Sequence, residues 1–118
     1  MKGNILQQKS FAFAINVVEV FKSLQNEKQE YVLSELLLRS GTRIGANIGD
    51  FSINTSDKQY LLQLTIANRE ACETIYWLKL LYATRYLAEK DFVLLHVGAN
   101  EIVKLLDQMQ TSIENRNS

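Results

Sequence analysis

Glycine recurs at every fourth position in the segment Leu38-Arg-Ser-Gly-Thr-Arg-Ile-Gly-Ala-Asn-Ile-Gly-Asp50, which lies within an otherwise strongly helical pattern. Residues four apart fall on one side of a helix, so Gly41, Gly45 and Gly49 form one small-residue face. Each glycine costs about 1 kcal/mol relative to alanine in a helix interior. We interpret this face as a site of close helix packing, inside a bundle or between subunits.

The composition predicts a single domain over residues 1–118, built from long uninterrupted helices. Of the 118 residues 47% are hydrophobic, and none is proline. Thirteen basic and thirteen acidic residues give zero formal net charge, which argues against strong nonspecific nucleic-acid binding. The single cysteine excludes an intramolecular disulfide. No apolar run approaches the roughly 20 residues of a membrane span, and no secretory signal opens the chain, so we expect a cytoplasmic protein without membrane contact.

The hydrophobic periodicity predicts four helices, over residues 7–25, 27–51, 56–82 and 89–113. Ser56 and Gln59 have the spacing of a capping box, which marks the start of the third helix. The inner stripe of the third helix consists of Tyr60, Leu64, Ala67, Ala71, Thr74, Leu78 and Leu81. That of the fourth consists of Phe92, Leu95, Ala99, Ile102, Leu106, Met109 and Ile113. The short links predict an all-α fold, an antiparallel up-down-up-down four-helix bundle.

The first helix carries two apolar stripes, which is more than a single core contact requires. One stripe consists of Phe11, Ala14, Ile15, Val18 and Phe21, and the other of Phe13, Val17, Val20 and Leu24. Either the helix is deeply buried in a small bundle, or one stripe faces another subunit.

Helices two and three are predicted to share a polar seam, with residues whose numbers add to about 109 lying side by side. This register places Arg39 level with Glu70, and Glu73 one turn further along, so that Arg39 bridges two carboxylates. It also sets Asp50 level with Gln59, and Asn47 near Gln63. The seam comprises Arg39, Arg43, Asn47, Asp50, Glu70 and Glu73.

The alternative role for Glu70 and Glu73 is a metal or acid–base site. Di-iron bundles need Glu-x-x-His on two helices, whereas His96 is the only histidine and lies outside such a motif. We therefore expect an ion-pair network, with no metal, no cofactor and no catalytic residue. Cys72 is predicted to be a packed small residue and His96 a surface or interface residue. Tyr76-Trp77 is predicted to anchor the core or an interface, with base stacking as the alternative.

Two stretches of the chain resemble a known family. Arg39-Ser-x-x-Arg-Ile-Gly-Ala-Asn-Ile-Gly-Asp50 is similar to its Arg-Ser-x-x-Ser-Ile-x-x-Asn-Ile-x-Glu helix, and Glu70-Ala-Cys-Glu-Thr-Ile-Tyr-Trp-Leu78 to its Glu-x-x-Glu-Thr-x-Tyr-Trp-Leu helix. The family comprises small four-helix bundles encoded in intervening sequences of bacterial 23S ribosomal RNA genes. The chain departs from the pattern at Arg43, where a small hydroxyl residue is usual, and at Asp50, where glutamate is usual.

The resemblance implies a homo-oligomeric ring, typically a pentamer. A similar bundle is the accessory protein of diversity-generating retroelements, in which a basic ring binds nucleic acid and a reverse transcriptase. The implied partners are therefore RNA, DNA or a nucleic-acid enzyme, and the zero net charge weakens this transfer. The alternative function is a protein-directed scaffold with no nucleic-acid ligand. A basic patch would favour the first function, and its candidate contacts are Arg43, Lys58, Arg69, Lys79 and Arg85, beside Arg39.

Overall fold

A computed structural model of the chain describes residues 2–49 and 56–116, and this part of the chain is helical apart from two short connections and the residues that flank them. The helices are α1 (Lys2–Asn26), α2 (Leu33–Ile48), α3 (Asp57–Ala83) and α4 (Glu89–Arg116). No strand occurs in the described ranges. The all-α prediction is confirmed, with α1 beginning five residues earlier and α4 ending three residues later than the periodicity indicated.

The predicted start of α2 is wrong by six residues, and Glu30 is the reason. Its buried carboxylate accepts backbone N–H bonds from Val32, Leu33 and Ser34, at 3.3, 3.1 and 2.6 Å. Gln29, just before it, has a positive φ of 54° and therefore interrupts a helix. Residues 27–32 are thus a connection, and Glu30 supplies acceptors to the N–H groups that α2 leaves unsatisfied.

Gly49 ends α2 instead of packing within it. Its φ of +59° lies in the left-handed region that glycine adopts without strain, and its N–H donates to the Gly45 carbonyl at 2.9 Å. The predicted continuation to Phe51, the turn at residues 54 and 55, and Asp50 all lie outside the described residues. The predicted cap of α3 is confirmed, because Ser56 Oγ accepts the N–H of Gln59 at 3.2 Å.

Side-chain contacts show that neighbouring helices run antiparallel. Each helix packs against two neighbours, in the order α1, α2, α3, α4 and back to α1. The diagonal pairs, α1 with α3 and α2 with α4, make no contact in the described part. Thr74 of α3 contacts Ser40 of α2, while Glu70, earlier in α3, contacts Arg43, later in α2. Asn68 and Asp57 contact Asp107 and Arg116 of α4 in the same reversed order. The result is an up-down-up-down bundle that measures 49 × 21 × 21 Å.

The register between α2 and α3 differs from the prediction by about one helical turn. Ser40 and Thr74 are in contact, and their numbers add to 114 instead of about 109. Ile48, the last residue of α2, is therefore level with residue 66 of α3. The first nine residues of α3, 57–65, extend beyond the end of α2 by about 13 Å, at about 1.5 Å per residue.

The core follows the predicted inner stripes closely. Phe13, Val17, Val20 and Leu24 of α1 are buried, whereas Phe11 and Ile15 of its second stripe are exposed. The stripe residues of α3 and α4 are buried except for Tyr60, Phe92 and Met109, which are half-buried against the core. Ala14, Val18 and Phe21 of that second stripe are half-buried, so only part of the stripe faces away from the bundle.

Glycine allows close packing at two places, of which the sequence indicated one. A Cβ atom at Gly41 would lie 3.0 Å from both methyl groups of Val17, so α2 can approach α1 there because it has no side chain of its own at the contact. Likewise, a Cβ atom added at Gly98 of α4 would lie 3.0 Å from the ring of Phe13 on α1. Gly45 is different, because its added Cβ would meet Ser10 at an ordinary 3.5 Å.

We expect Gly41→Leu to destabilise the protein by ~1–3 kcal/mol, because buried Val17 has no space to move aside. Gly45→Ala is the matched control, and it should be neutral or stabilising by up to about 1 kcal/mol through helix propensity. Urea unfolding of both variants measures the difference. A Gly41→Leu variant as stable as the wild type would contradict the close approach.

Candidate functional site

The ion pair between α2 and α3 joins Arg43, not Arg39, to Glu70. Arg43 Nη1 lies 3.7 Å from Glu70 Oε2, and the Glu70 side chain is only 15% exposed. The one-turn register difference accounts for the exchange of arginines. Arg39 is exposed and forms no ion pair with any described residue.

Glu70 and Glu73 form a carboxyl pair on the α2-facing side of α3. Burial raises the pKa of the Glu70 carboxyl above its ordinary value, the nearby Glu73 carboxylate raises it further, and Arg43 partly offsets both. A side-chain hydrogen bond with Glu73 also favours the protonated form of Glu70. The pair is therefore a place where folding and proton binding are linked.

Two buried hydroxyl groups lie between α2 and α3, and the sequence analysis did not identify them as a pair. Thr74 Oγ1 lies 2.9 Å from Ser40 Oγ and 2.7 Å from the carbonyl oxygen of Glu70. Both residues are almost fully buried. The sequence does show one hydroxyl residue within the apolar face of each helix, Ser40 on α2 and Thr74 on α3. That these two residues are in contact follows only from the observed register.

Of the remaining predicted seam residues, Glu73 joins this network through its side-chain hydrogen bond with Glu70, whereas Asn47 does not. Asn47 donates its side-chain amide to the Arg43 carbonyl of its own helix at 2.8 Å, and no bond to Gln63 occurs among the described residues. Glu73 is exposed beside Glu70. Asp50 lies outside the described residues. The seam is thus shorter than predicted and centres on Ser40, Arg43, Glu70 and Thr74.

The candidate nucleic-acid contacts are all exposed but do not form one compact cluster. Arg43 projects from α2, whereas Lys58, Arg69 and Lys79 follow the length of α3. Arg85 follows α3 in the turn and has a positive φ of 70°. Lys58 and Arg85 lie at opposite ends of α3, about 40 Å apart at about 1.5 Å per residue. Only the middle of this set, Arg43 with Arg69 and nearby Arg39, can form a local patch.

The prediction for Cys72 is wrong, because its side chain is exposed and lies 3.7 Å from Asn68 Oδ1. His96 is half-buried, stacks on Phe92 with ring centroids 5.0 Å apart, and lies 3.2 Å from the Asn100 amide. Tyr76 is exposed, whereas Trp77 packs against the core. No set of three or more possible metal ligands occurs in the described part of the chain.

An apolar strip follows the outer faces of α1 and α4. Phe11 is 70% exposed and Ile15 50%, while on α4 Leu94 is 51% exposed and Val97 57%. The sequence analysis singled out the α1 half of the strip. It missed the α4 half because it followed only the core seam of that helix, and the signal was the apolar pair Val93-Leu94 and Val97 off that seam.

A groove of about 450 Å³ opens between α1 and α2, beside this strip. Ser10 forms part of its floor, and the buried Ser10 hydroxyl has no hydrogen-bond partner among the described residues. Small residues keep the groove open, and its lining comprises Gln7, Ser10, Phe11, Ala14, Thr42, Gly45, Ala46 and Gly49. Within residues 2–49 and 56–116, no helix has both the length and the apolar character needed to cross a bilayer.

We expect Glu70→Gln to stabilise the protein at neutral pH. The raised pKa means that the folded state binds the Glu70 proton more tightly than the unfolded state. Stability therefore falls as pH rises from the ordinary glutamate value through the raised one. The lost ion pair matters little, because Arg43 is mostly exposed.

Thermal unfolding of the wild type and of Glu70→Gln between about pH 4 and pH 8 measures this effect. The advantage of the variant should be present at the upper end and vanish toward the lower end. Glu101→Gln, which removes an exposed carboxylate of another ion pair, is the control and should show no such gain. A Glu70→Gln variant less stable than the wild type at pH 7 would contradict the expectation.

The comparisons with known proteins agree on one family. Residues 2–108 match the family of the 23S rRNA-intervening sequence protein. A crystal structure from Bacteroides thetaiotaomicron VPI-5482, described as a protein of unknown function from the S23 ribosomal protein family, is 40% identical. The similarity covers 94% of this chain and 99% of that one, with a TM-score of 0.90. The search of curated proteins found no match. The family match and the structural similarity together show that the chain belongs to the 23S rRNA-intervening sequence protein family.

Proposed function

We propose that the chain is a cytoplasmic, non-catalytic subunit of a homo-oligomeric ring, specifically a pentamer, that binds nucleic acid weakly. The observation that carries the assembly is the apolar strip formed by Phe11 and Ile15 of α1 with Leu94 and Val97 of α4. Single exposed apolar residues are ordinary, whereas several exposed apolar residues on two neighbouring helices favour a protein–protein contact.

Light scattering at micromolar concentration tests the assembly. We expect a mass several times the 13.5 kDa of one chain, because stable interfaces bury more than ~1,200 Å² in total and hold at this concentration. A monomer throughout a dilution series would refute the assembly.

Three arginines on the flank of α2 and α3, which lie beside the Glu70 and Glu73 carboxyls, support nucleic-acid binding. Arg39 and Arg43 lie one turn apart on α2, and the observed register sets them level with residues 75 and 71 of α3. Arg69 and exposed Tyr76 of α3 lie at the same heights. Arginine contacts phosphate and tyrosine stacks on bases. A ring would repeat this small patch and add weak contacts through multivalency.

A titration of labelled structured RNA and single-stranded DNA tests this surface. We expect micromolar or weaker affinity that falls between about 50 and 200 mM salt, because phosphate contacts release counterions. The double variant Arg39→Glu/Arg69→Glu should bind at least ~10-fold more weakly. Lys104→Glu/Lys90→Glu on α4 gives the same change in net charge and should leave binding unchanged.

The alternative is a protein-directed scaffold with no nucleic-acid ligand. The zero net charge favours it, and so does Leu62, which is exposed on the same face of α3 as Tyr76. Absence of RNA and DNA binding at low salt, with the oligomer intact, would establish this alternative over nucleic-acid binding.

A further inference from the structure

The groove between α1 and α2 is a recess with an apolar rim. Phe11 and Ala14 border it on α1, and Gly45 and Ala46 border it on α2. Because Gly45 has no side chain and Ala46 a small one, the recess stays open along about two helical turns. A side chain from outside can enter it without displacing any core residue.

The complementary shape lies on the next side of the same bundle. Val93, Leu94 and Val97 of α4 are each at least half exposed and form a short apolar ridge. Resting on the homo-oligomer proposed above, we infer that the α1–α2 groove of one copy receives the α4 ridge of a second copy. The contact is head-to-tail, because groove and ridge are different surfaces.

The heights of the two surfaces along the bundle agree. An added Cβ at Gly98 would meet Phe13, and Lys9 contacts Glu101, so α1 and α4 residues whose numbers add to about 110 are level. Copies related by a ring axis parallel to the bundle keep their heights. Val97 of one copy then stands opposite the recess near Ala14 of the next. Asn100 stands opposite Ser10, whose buried hydroxyl has no hydrogen-bond partner within residues 2–49 and 56–116.

The available area is sufficient for a stable contact. One long side of a bundle of 49 × 21 Å presents on the order of 1,000 Å². A standard interface uses about 800 Å² per partner. Docking along most of one side therefore meets the requirement without any further protein.

The two surfaces are alike in carrying no charge at their centres. The residues that line the groove are all uncharged, and the ridge residues Val93, Leu94 and Val97 are all apolar. Docking of the ridge in the groove therefore buries no unpaired charge from these residues.

The position of both surfaces on either side of α1 favours a closed assembly. Adjacent sides of a square bundle face directions roughly a right angle apart. Each repeated contact therefore turns the next copy by a large angle, so the series returns to its start after few copies. Helix α1, between the two surfaces, lies toward the inside of that ring.

Complementation of two variants tests this contact. Ala46→Trp fills the groove and Val97→Asp places a charge on the ridge, and both positions are exposed, so folding is retained. Each variant alone should fall to the monomer mass of 13.5 kDa. Mixed at equal amounts, they should form a heterodimer of twice that mass, because one intact groove and one intact ridge remain. Leu62→Asp, an exposed apolar residue on the diagonal helix α3, is the control and should keep the wild-type mass.

The possible outcomes separate this inference from the assembly itself. A monomeric wild type would refute the homo-oligomer and the inference together. An oligomeric wild type whose mass neither Ala46→Trp nor Val97→Asp reduces would refute the inference alone. Monomeric single variants that stay monomeric on mixing would also refute it, since that is the result of a symmetric contact. Circular dichroism melts confirm that each variant is folded.

Discussion

The close approach of α2 to α1 at Gly41 constrains much of the bundle. With no side chain at this position, the two helices meet through the methyl groups of Val17. Below this contact the helices leave a recess at Gly45, so the same spacing of glycines that brings the helices together also opens the groove. Gly98 repeats the arrangement between α4 and Phe13. Helix α1 is therefore held on both sides by contacts that need glycine on the partner helix.

The register of α3 against α2 depends on a different interaction, the hydrogen bond between the buried hydroxyls of Ser40 and Thr74. A slip of one turn would separate the two hydroxyls and lose the hydrogen bond between them, although Thr74 would keep its bond to the Glu70 carbonyl of its own helix. The same register brings Arg43 to Glu70 and leaves Arg39 without an ion pair among the described residues. Apolar packing thus determines the distance between neighbouring helices, and hydrogen bonds and ion pairs between α2 and α3 favour one register of these two helices.

The helices and most of the core were predictable because apolar residues that recur with the helical period lie on one face, and that face is the buried one. On α3, every residue of the inner stripe except Tyr60 is buried. The connections were less predictable. Glu30 accepts hydrogen bonds from the start of α2 only because of its position in the fold, and a glutamate three residues before a helix is ordinary in sequence. The polar seam was predicted with the right helices and the wrong arginine, since its alignment depends on a connection whose geometry the residues do not specify. Of the outer surfaces, only the α1 half was predicted, because a second stripe of five residues is visible on α1, whereas the α4 ridge has only three residues outside the core seam.

The overhang of α3 beyond α2 gives the bundle two unequal ends. Residues 57–65 lack the neighbour that α2 provides to the rest of α3. Leu64 is buried there and Tyr60 and Leu61 are partly buried against the core, and exposed polar contacts with α4 add to this packing, including Asp57 with Arg116 and Thr65 with Gln110. Exposed polar contacts resist local opening less than buried apolar ones. Amide hydrogens in the first turns of α3 should therefore exchange with solvent well before those around Ala71 and Leu78, although all belong to one continuous helix. Partial unfolding of this protein would then begin at a defined end of the bundle while the Gly41 and Ser40 contacts remain formed.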